Sequence, residues 1–206
     1  TPEELKRKRK RQLARGKPPV YDRAGLALSA DEKAALEAEG RSAHWRFKLS
    51  GNQVAWRDLV RGEQKIDTAS VSDPVIRRAD GSWLYTLPSV VDDLDMNISH
   101  VIRGEDHVTN TAAQVELIAA LGGEVPEFAH FSLMLGADGS GLSKRLGSLA
   151  LADLRDSGLE PISLNAHIAR LGTADPVVPA QTMQEIIDGF DMARLGRAPA
   201  RFDPDY

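Results

Sequence analysis

The sequence predicts an α/β protein, because an apolar strand, a helix and a second apolar strand follow one another between residues 98 and 135. This order is a βαβ unit, which implies two parallel strands joined by a right-handed crossover. The stretch before it alternates between apolar and polar residues, which predicts a smaller α+β unit with antiparallel strands. Three helical stretches follow the βαβ unit.

Two helices are predicted before the first strand. Residues 3–15 contain strong helix formers, and a proline and a glycine bracket them as start and stop signals. Residues 29–40 begin with a capping box, in which Ser29 is the N-cap and Glu32 is its partner. Both stretches are therefore expected to be helices.

Strands are predicted where apolar and polar residues alternate in the middle of the chain. The predicted strands cover residues 44–49, 54–59, 71–78, 98–102 and 128–135. An Ala-Asp-Gly-Ser turn at 79–82 predicts a hairpin whose second strand is 83–87. Trp45, Trp56 and Trp83 are expected to be core residues of this unit.

Helices dominate the rest of the chain. Residues 109–121 place Val115, Ile118 and Leu121 on one helix face, which predicts a buried side. The remaining predicted helices cover residues 149–157, 161–171 and 180–190. Pro161 is expected at the first helical position, where its missing N–H costs nothing.

The composition excludes several classes of protein. Of 206 residues, 42% are hydrophobic and 27% are charged, which is typical of a globular chain. Since there is no cysteine, disulfides, thiolate zinc sites, iron–sulfur clusters and a cysteine nucleophile are excluded. There is no apolar run of membrane-spanning length and no signal segment, so we expect no membrane partner. The absence of cysteine fits a cytoplasmic protein. A first residue of Thr1 suggests a processed or excised piece.

Charge is unevenly distributed along the chain. Residues 1–23 contain nine Lys or Arg against three Asp or Glu, whereas the net charge of the whole chain is −4. A basic end on an acidic body indicates a polyanionic partner that touches one end. The alternative is a helix face that is simply solvated.

Two polar loops follow predicted strands of the βαβ region, and neighbouring parallel strands would place both loops on one rim of the sheet. The loops contain Arg103, Glu105, Asp106 and His107, and then Ser143, Lys144 and Arg145 among glycines. A lysine is suited to phosphate charge that develops during reaction, and an arginine fork to a carboxylate. This indicates a site for a nucleotide and an anionic co-substrate. The alternative is two solvated surface loops.

Other polar residues are weaker candidates. Asp92, Asp93 and Asp95 fit either a divalent cation or the solvated side of a short helix. His100 and His130 lie within apolar strands, which favours packing over metal ligation. A zinc site built by the protein is not expected, since there is neither a cysteine nor a histidine pair at helical spacing.

Five stretches carry distinctive sequences. They are LARGKPPVYD at 13–22, YTLPSVVDD at 85–93, VIRGEDH at 101–107 followed by TNT at 109–111, LSKR at 142–145, and RAPARFD at 197–203. Together they resemble the bacterial glutamyl-tRNA synthetases, which are class I aminoacyl-tRNA synthetases. LSKR resembles the KMSKS loop of that class, and the resemblance extends over essentially the whole chain.

The resemblance implies a particular arrangement of domains. It implies an α+β insertion domain that binds the tRNA acceptor stem at 1–80, the second half of a class I Rossmann-type catalytic domain at 81–148, and the start of a helical stem-contact region at 149–206. Counterparts of the family's first Rossmann half, with its HIGH motif, and of its anticodon-binding region are missing. The chain is therefore expected to be an internal segment.

The resemblance also implies roles for individual residues. It implies catalysis by Lys144 and Ser143, glutamate binding by Arg103 and Tyr85, ATP binding by Glu105, Asp106, His107, Leu142 and Lys144, and tRNA binding by Lys6, Arg7, Arg9, Lys10 and Arg11. One departure concerns the first KMSKS position, which is Gly141, so a single loop lysine remains.

The implied activity is the joining of glutamate to tRNA(Glu) at the expense of ATP, with Mg²⁺ held mostly by the ATP phosphates and no zinc. A guanidinium fork pairs with a carboxylate better than with a neutral amide, so Arg103 would favour glutamate over glutamine. The chain alone is expected to be inactive. The alternatives are a non-catalytic module that binds the acceptor stem and a paralogue similar to glutamyl-Q tRNA synthetase.

Overall fold

The computed structural model describes residues 2–136, 139, 150–176, 178–179 and 182–202. The chain divides into two compact units, and each is described by itself. The first unit comprises Thr1–Trp56, Glu63–His100 and Val108–Pro126, and the second comprises Arg57–Gly62, Val101–His107 and Glu127–Tyr206. The predicted α/β class is confirmed.

Seven α-helices lie in the described part of the chain. They are α1 (Pro2–Ala14), α2 (Ala30–Ala38), α3 (Thr86–Asp95), α4 (Val108–Leu121), α5 (Leu151–Asp156), α6 (Pro161–Arg170) and α7 (Met183–Asp188). Short 3₁₀ turns cover Ala24–Leu26, Thr68–Ser70, Glu105–His107 and Met192–Arg194. None of the helices in these ranges is long and apolar enough to cross a membrane.

Helix boundaries follow the local signals in the sequence. The Oγ of Ser29 accepts from the backbone N–H of Glu32 at 3.2 Å, and the carboxylate of Glu32 accepts from the N–H of Ser29 at 2.7 Å. The predicted capping box is therefore confirmed. Pro161 occupies the start of α6, as expected. Both features satisfy or avoid orphan donors in a first helical turn.

Eight strands form three sheets in the described residues. They are β1 (Trp45–Arg46), β2 (Gln53–Asp58), β3 (Gly62–Asp67), β4 (Val75–Arg77), β5 (His100–Gly104), β6 (Glu127–Phe131), β7 (Met134–Gly136) and β8 (Ala200–Phe202). One sheet has the order β3-β2-β6-β5. In it, β2 and β6 are parallel, with Asp58 opposite Phe128. The other two sheets are the antiparallel pair β1-β4 and the parallel pair β7-β8.

The strands predicted at 44–49 and 71–78 are too long. The backbone N–H of Leu49 donates to the Asp73 carboxylate at 3.0 Å, and that of Phe47 donates to the Pro74 carbonyl at 3.0 Å. A carboxylate takes the place of a strand neighbour at Leu49, which ends β1 early. The predicted strand at 128–135 likewise divides into β6 and β7.

One strand was missed and one predicted strand is wrong. The missed strand, β3, has the sequence Gly-Glu-Gln-Lys-Ile-Asp, whose polar residues conceal the alternation of exposure along it. The predicted strand at 83–87 is reduced to a single bridge between Trp83 and Arg77, and α3 begins at Thr86. Pro88 explains the change, because it cannot donate to a strand ladder but fits the first turn of a helix.

Three aspartates lie near the end of helix α3. Asp92, Asp93 and Asp95 are all within the helix, as the helical alternative predicts. Groups of three or more residues able to hold a metal ion are absent from the described ranges.

The first unit has an apolar core between α3 and α4. Val90 of α3 packs with Leu117 and Ile118 of α4, and all three are at least 96% buried. The predicted α4 face is partly wrong, because Leu121 is 50% exposed whereas Leu117 lies in the core. Leu121 is the last residue of the helix, where the core side ends.

The three tryptophans have different environments. Trp56 is buried as predicted, but Trp45 and Trp83 are 57% and 55% exposed, so the core prediction is wrong for these two. The guanidinium of Arg77 lies 5.6 Å from the Trp45 ring and 5.4 Å from the Trp83 ring. Cation–π contact with a shared arginine therefore replaces core packing at both rings.

In the second unit, α6 and α7 lie in contact. Arg170, the last residue of α6, donates to the carbonyl of Gly189 at 2.9 Å and to the carboxylate of Asp175 at 3.2 Å. This arginine joins the end of α6 to the end of α7, because the Gly189 carbonyl at the C-cap of α7 is a group that a helix terminus leaves without an intrahelical partner.

Candidate functional site

Arg103 lies in β5, within the second unit, and two aromatic side chains of β6 hold its guanidinium. Its Nε donates to Nε2 of His130 at 3.2 Å. Its guanidinium carbon also lies 5.7 Å from the centre of the Phe128 ring. A hydrogen bond and a cation–π contact restrict the guanidinium from two directions.

The other ring nitrogen of His130 contacts a buried carboxylate. Nδ1 of His130 lies 2.5 Å from Oδ2 of Asp58, and both side chains are fully buried. The backbone N–H of His130 donates to Oδ1 of the same carboxylate at 3.1 Å. Asp58 ends β2 and its Oδ1 also accepts from the N–H groups of Val60 at 3.1 Å and Arg61 at 2.9 Å.

The surroundings of this pair fix its protonation state. Burial lowers the pKa of His130, and the nearby Arg103 and Arg61 lower it further, although the hydrogen bond that the ring donates to Asp58 opposes them. Burial alone would raise the pKa of Asp58, but its hydrogen bonds outweigh that effect and hold the pKa below the usual value. His130 is therefore neutral, donates its Nδ1–H to an ionised Asp58 and accepts from Arg103 at Nε2.

Glu105 is engaged with the protein rather than exposed. Its carboxylate forms a close ion pair with Arg61 and accepts from the backbone N–H of Leu133 at 3.3 Å. Asp106 and His107 are less enclosed, with 3.8 Å between the Asp106 carboxylate and Nε2 of His107. Three of the five predicted ATP contacts thus lie in the 3₁₀ turn that follows Arg103.

Two other predicted groups lie in the first unit. Tyr85 is the residue that precedes α3, and it is 53% exposed. The predicted tRNA contacts Lys6, Arg7, Arg9, Lys10 and Arg11 are all exposed along α1. Lys8 on the same helix is paired with the Asp22 carboxylate at 2.5 Å.

The second predicted loop lies outside the described residues. It contains Gly141, Leu142, Ser143, Lys144 and Arg145. Their roles remain predictions, and so does the expected convergence of Lys144 with Arg103.

Sequence reasoning missed the role of Asp58 and part of that of His130. His130 was correctly expected to be packed, whereas His100, in β5, is exposed and that expectation is wrong. A signal was present in both cases: Asp58 lies two residues after the buried Trp56, on the same face of β2, and His130 directly follows the buried Ala129 in β6. A buried polar residue needs a hydrogen-bond partner, so each implied the existence of another.

The neutral state of His130 predicts acid destabilisation of the chain. As the pH falls below the ordinary histidine pKa of about 6.5, the unfolded chain binds a proton that the folded chain excludes, so the free energy of unfolding decreases. The contribution of Asp58 is lost only at lower pH, as the pH falls through its depressed pKa. We expect His130→Asn to reduce the pH dependence of the free energy of unfolding by up to about 1.4 kcal/mol per pH unit as the pH falls below about 6.5.

Urea unfolding of the wild type and of His130→Asn across that range measures the effect. His100→Asn, at the exposed histidine of β5, is the matched control and should retain the wild-type slope. An identical pH slope in His130→Asn and the wild type would contradict a neutral buried imidazole.

This geometry suits the recognition of an anionic group. An arginine whose fork is held by a neutral imidazole and an aromatic ring offers a preorganised donor to a carboxylate or phosphate. The polar turn that follows it lies at the carboxyl end of a strand, where ligands bind in α/β sheets.

Comparison with known proteins identifies the class as that of the class I tRNA synthetases. The family described as "tRNA synthetases class I (E and Q), catalytic domain" matches residues 1–206. The chain therefore belongs to the catalytic domain family of class I synthetases of the glutamate and glutamine type.

Two similar proteins are both named glutamate–tRNA ligase. Glutamate–tRNA ligase 2 of Hyphomonas neptunium is 59% identical over 203 residues, which cover 98% of this chain and 46% of that protein. Glutamate–tRNA ligase 1 of Maricaulis maris is 58% identical over 206 residues, which cover 100% of this chain and 46% of that protein. The chain thus spans about half the length of the curated relatives that it matches.

A solved structure shows the same fold. The crystal structure of a glutamate tRNA ligase from Elizabethkingia meningosepticum, in complex with its amino acid, is 31% identical and has a TM-score of 0.80. The match covers 100% of this chain and 46% of that one. The fold is therefore the α/β fold of class I synthetase catalytic domains.

Proposed function

We propose that the chain is the part of a glutamate–tRNA ligase that holds the glutamate side chain and half of the ATP site. The observation that supports this most strongly is identity near 59% to proteins named glutamate–tRNA ligase over nearly the whole chain. The held guanidinium of Arg103 gives the proposal a physical basis in a residue suited to a carboxylate.

The proposed reaction has two steps. An oxygen of the glutamate α-carboxylate attacks the α-phosphorus of ATP, so that glutamyl-adenylate forms and pyrophosphate leaves. A terminal ribose hydroxyl of tRNA(Glu) then attacks the activated carbonyl, and AMP leaves. The protein contributes mainly positioning and stabilisation of charge, because no covalent intermediate with a side chain is needed.

Arg103 is proposed to bind the side-chain carboxylate of glutamate. Two parallel N–H donors match two carboxylate oxygens, whereas the amide of glutamine would turn an NH₂ group toward the fork. Tyr85 is proposed to line the same pocket in the complete enzyme.

The ATP site is proposed to use both predicted loops. Asp106, His107 and Leu142 would contact the nucleotide, and Lys144 beside Ser143 would stabilise charge on the phosphates. Glu105, paired with Arg61, would contribute through the shape of the turn that it fixes. Mg²⁺ would be brought in by the ATP phosphates, since it prefers few protein ligands and several waters or phosphate oxygens.

Helix α1 is proposed to meet tRNA phosphates, within an acceptor-stem-binding domain at 1–80 and ahead of a stem-contact region that begins at 149. Five exposed cations of α1 support this proposal. Such contacts position the tRNA without reading its sequence, and they weaken as salt increases. A cytoplasmic location follows from the proposed role in protein synthesis.

Glutamate-dependent pyrophosphate exchange tests the proposal. The chain would replace the matching segment of the Hyphomonas neptunium ligase, and exchange would be measured with glutamate, ATP and tRNA. We expect the chimera to exchange pyrophosphate and the isolated chain to show none. A folded chimera that binds tRNA without exchange would favour the non-catalytic stem-binding module instead.

A further inference from the structure

We propose that Asp58 and His130 are positioning residues that orient the Arg103 guanidinium for glutamate. The inference rests on the proposed function of Arg103. It assigns a positioning role to two residues that are not among the proposed glutamate-binding residues. The contacts run from Asp58, at the end of β2, to His130 and from His130 to Arg103. All three residues lie in the second unit.

The first link fixes the Asp58 carboxylate to the backbone. Oδ1 of Asp58 accepts three backbone N–H groups, from Val60, Arg61 and His130, at 2.9–3.1 Å. With Oδ1 held in this way, Oδ2 has one direction left, toward Nδ1 of His130. The carboxylate therefore cannot rotate without breaking several buried hydrogen bonds, each of which is costly to leave unmade.

The second link sets the tautomer. An ionised carboxylate is only an acceptor, so the ring proton of His130 must be on Nδ1 and Nε2 must carry the lone pair. That lone pair faces Nε of Arg103, which is always a donor. With the other tautomer, two donors would face each other and this hydrogen bond to the arginine would be lost.

The third link restrains the binding group. With Nε held by His130 and the ring of Phe128 beside the guanidinium, the fork is confined before a ligand arrives. Preorganisation of this kind lowers the entropy lost on binding, so it should increase the affinity for glutamate. It should leave the affinity for ATP unaffected.

Two substitutions of His130 separate positioning from simple packing. His130→Asn places an amide N–H near the Nδ1 position, so it retains the bond to Asp58 but loses the acceptor for Arg103. His130→Gln places an amide oxygen near the Nε2 position, so it retains the acceptor for Arg103 but loses the donor to Asp58. If His130 only filled space in the protein, the two variants should raise the glutamate KM equally, or His130→Asn should raise it less.

Glutamate KM in the chimeric enzyme is the main measurement. We expect His130→Asn to raise the glutamate KM about tenfold, the effect of losing one hydrogen bond to a charged group. Its kcat and ATP KM should stay within about twofold, because uniform binding of one substrate is what is lost. His130→Gln should show a clearly smaller rise, and His100→Asn should show none.

Asp58→Asn supplies an independent readout. Its amide N–H would face Nδ1 of His130 and would force the ring proton onto Nε2, as the corresponding exchange does in serine protease triads. We expect ¹⁵N NMR of the His130 ring to show the Nδ1–H form in the wild type and the Nε2–H form in Asp58→Asn. The glutamate KM of the variant should rise with the change of tautomer.

The outcomes distinguish the two proposals. An inactive wild-type chimera would overturn the proposed function. An active chimera in which His130→Asn and His130→Gln raise the glutamate KM equally, or raise the ATP KM as much, would overturn the positioning role. An Nε2–H tautomer in the wild type would overturn it as well.

Discussion

Replacing Arg103 with alanine is expected to raise the glutamate KM of the chimeric enzyme at least about 30-fold. Truncating one partner of a hydrogen-bonded charge pair in a partly enclosed site costs about 2–5 kcal/mol, and the lower value corresponds to that factor. The loss should be confined to glutamate, because the guanidinium is proposed to contact the amino acid and not the nucleotide. Steady-state pyrophosphate exchange at varied glutamate and saturating ATP measures the effect.

Arg103→Lys is the matched control for charge. A lysine retains the positive charge but has no planar fork, so it should recover part of the affinity while losing discrimination against glutamine. The ratio of kcat/KM for glutamate to that for glutamine should therefore fall in both variants. Unchanged glutamate kinetics in Arg103→Ala would remove the residue from the pocket.

Replacing Lys144 with alanine is expected to lower kcat by about 10²–10³, or about 2.7–4 kcal/mol, the effect of removing one donor that stabilises transition-state charge. The loss should be larger than in a loop with two lysines, because the first KMSKS position is Gly141 and Lys144 is the single loop lysine. KM for glutamate should change little, because the lysine is proposed to act on the phosphates. Single-turnover formation of the adenylate isolates the step.

Lys144→Arg retains a cation at the same position and should recover part of the rate. The neighbouring Arg145→Ala tests whether any loop cation suffices. A kcat for Lys144→Ala within a factor of about three of the wild type would contradict a transition-state role, since such a loss is below 1 kcal/mol.

Local signals predicted most of the fold because they act over a few residues. The capping box of Ser29 and Glu32, Pro161 at the start of α6, and the alternation in β2 depend only on near neighbours in sequence. They were confirmed in place. The α/β class followed from the order of strand, helix and strand between residues 98 and 135, which is a property of the chain itself.

Long-range contacts explain what could not be predicted. Trp45 and Trp83 are exposed and share Arg77 as a cationic partner, a contact that no local pattern contains. Strand β3 has a polar sequence and forms because β2 offers it hydrogen bonds in the sheet. The strand at 44–49 is cut short by a carboxylate that lies 24 residues after Leu49.

The candidate site also combines features that local signals predicted with others that depend on long-range contacts. The motif at 101–107 identified Arg103 and the turn that follows, but not what holds the guanidinium. Asp58 and His130 are 72 residues apart in sequence, and the sheet brings them together. From sequence, His130 was visible only as a polar residue inside an apolar strand, and Asp58 only as a charged residue at the end of an alternating one.

The most direct test of the account is a crystal structure of the chimeric enzyme with a non-hydrolysable analogue of glutamyl-adenylate. We predict that the Arg103 fork binds the side-chain carboxylate of the analogue and that Lys144 lines the same cleft beside the phosphate. His130 should remain between Arg103 and Asp58. A structure with Arg103 and Lys144 on opposite faces of the molecule, or with the carboxylate bound by another residue, would contradict the account.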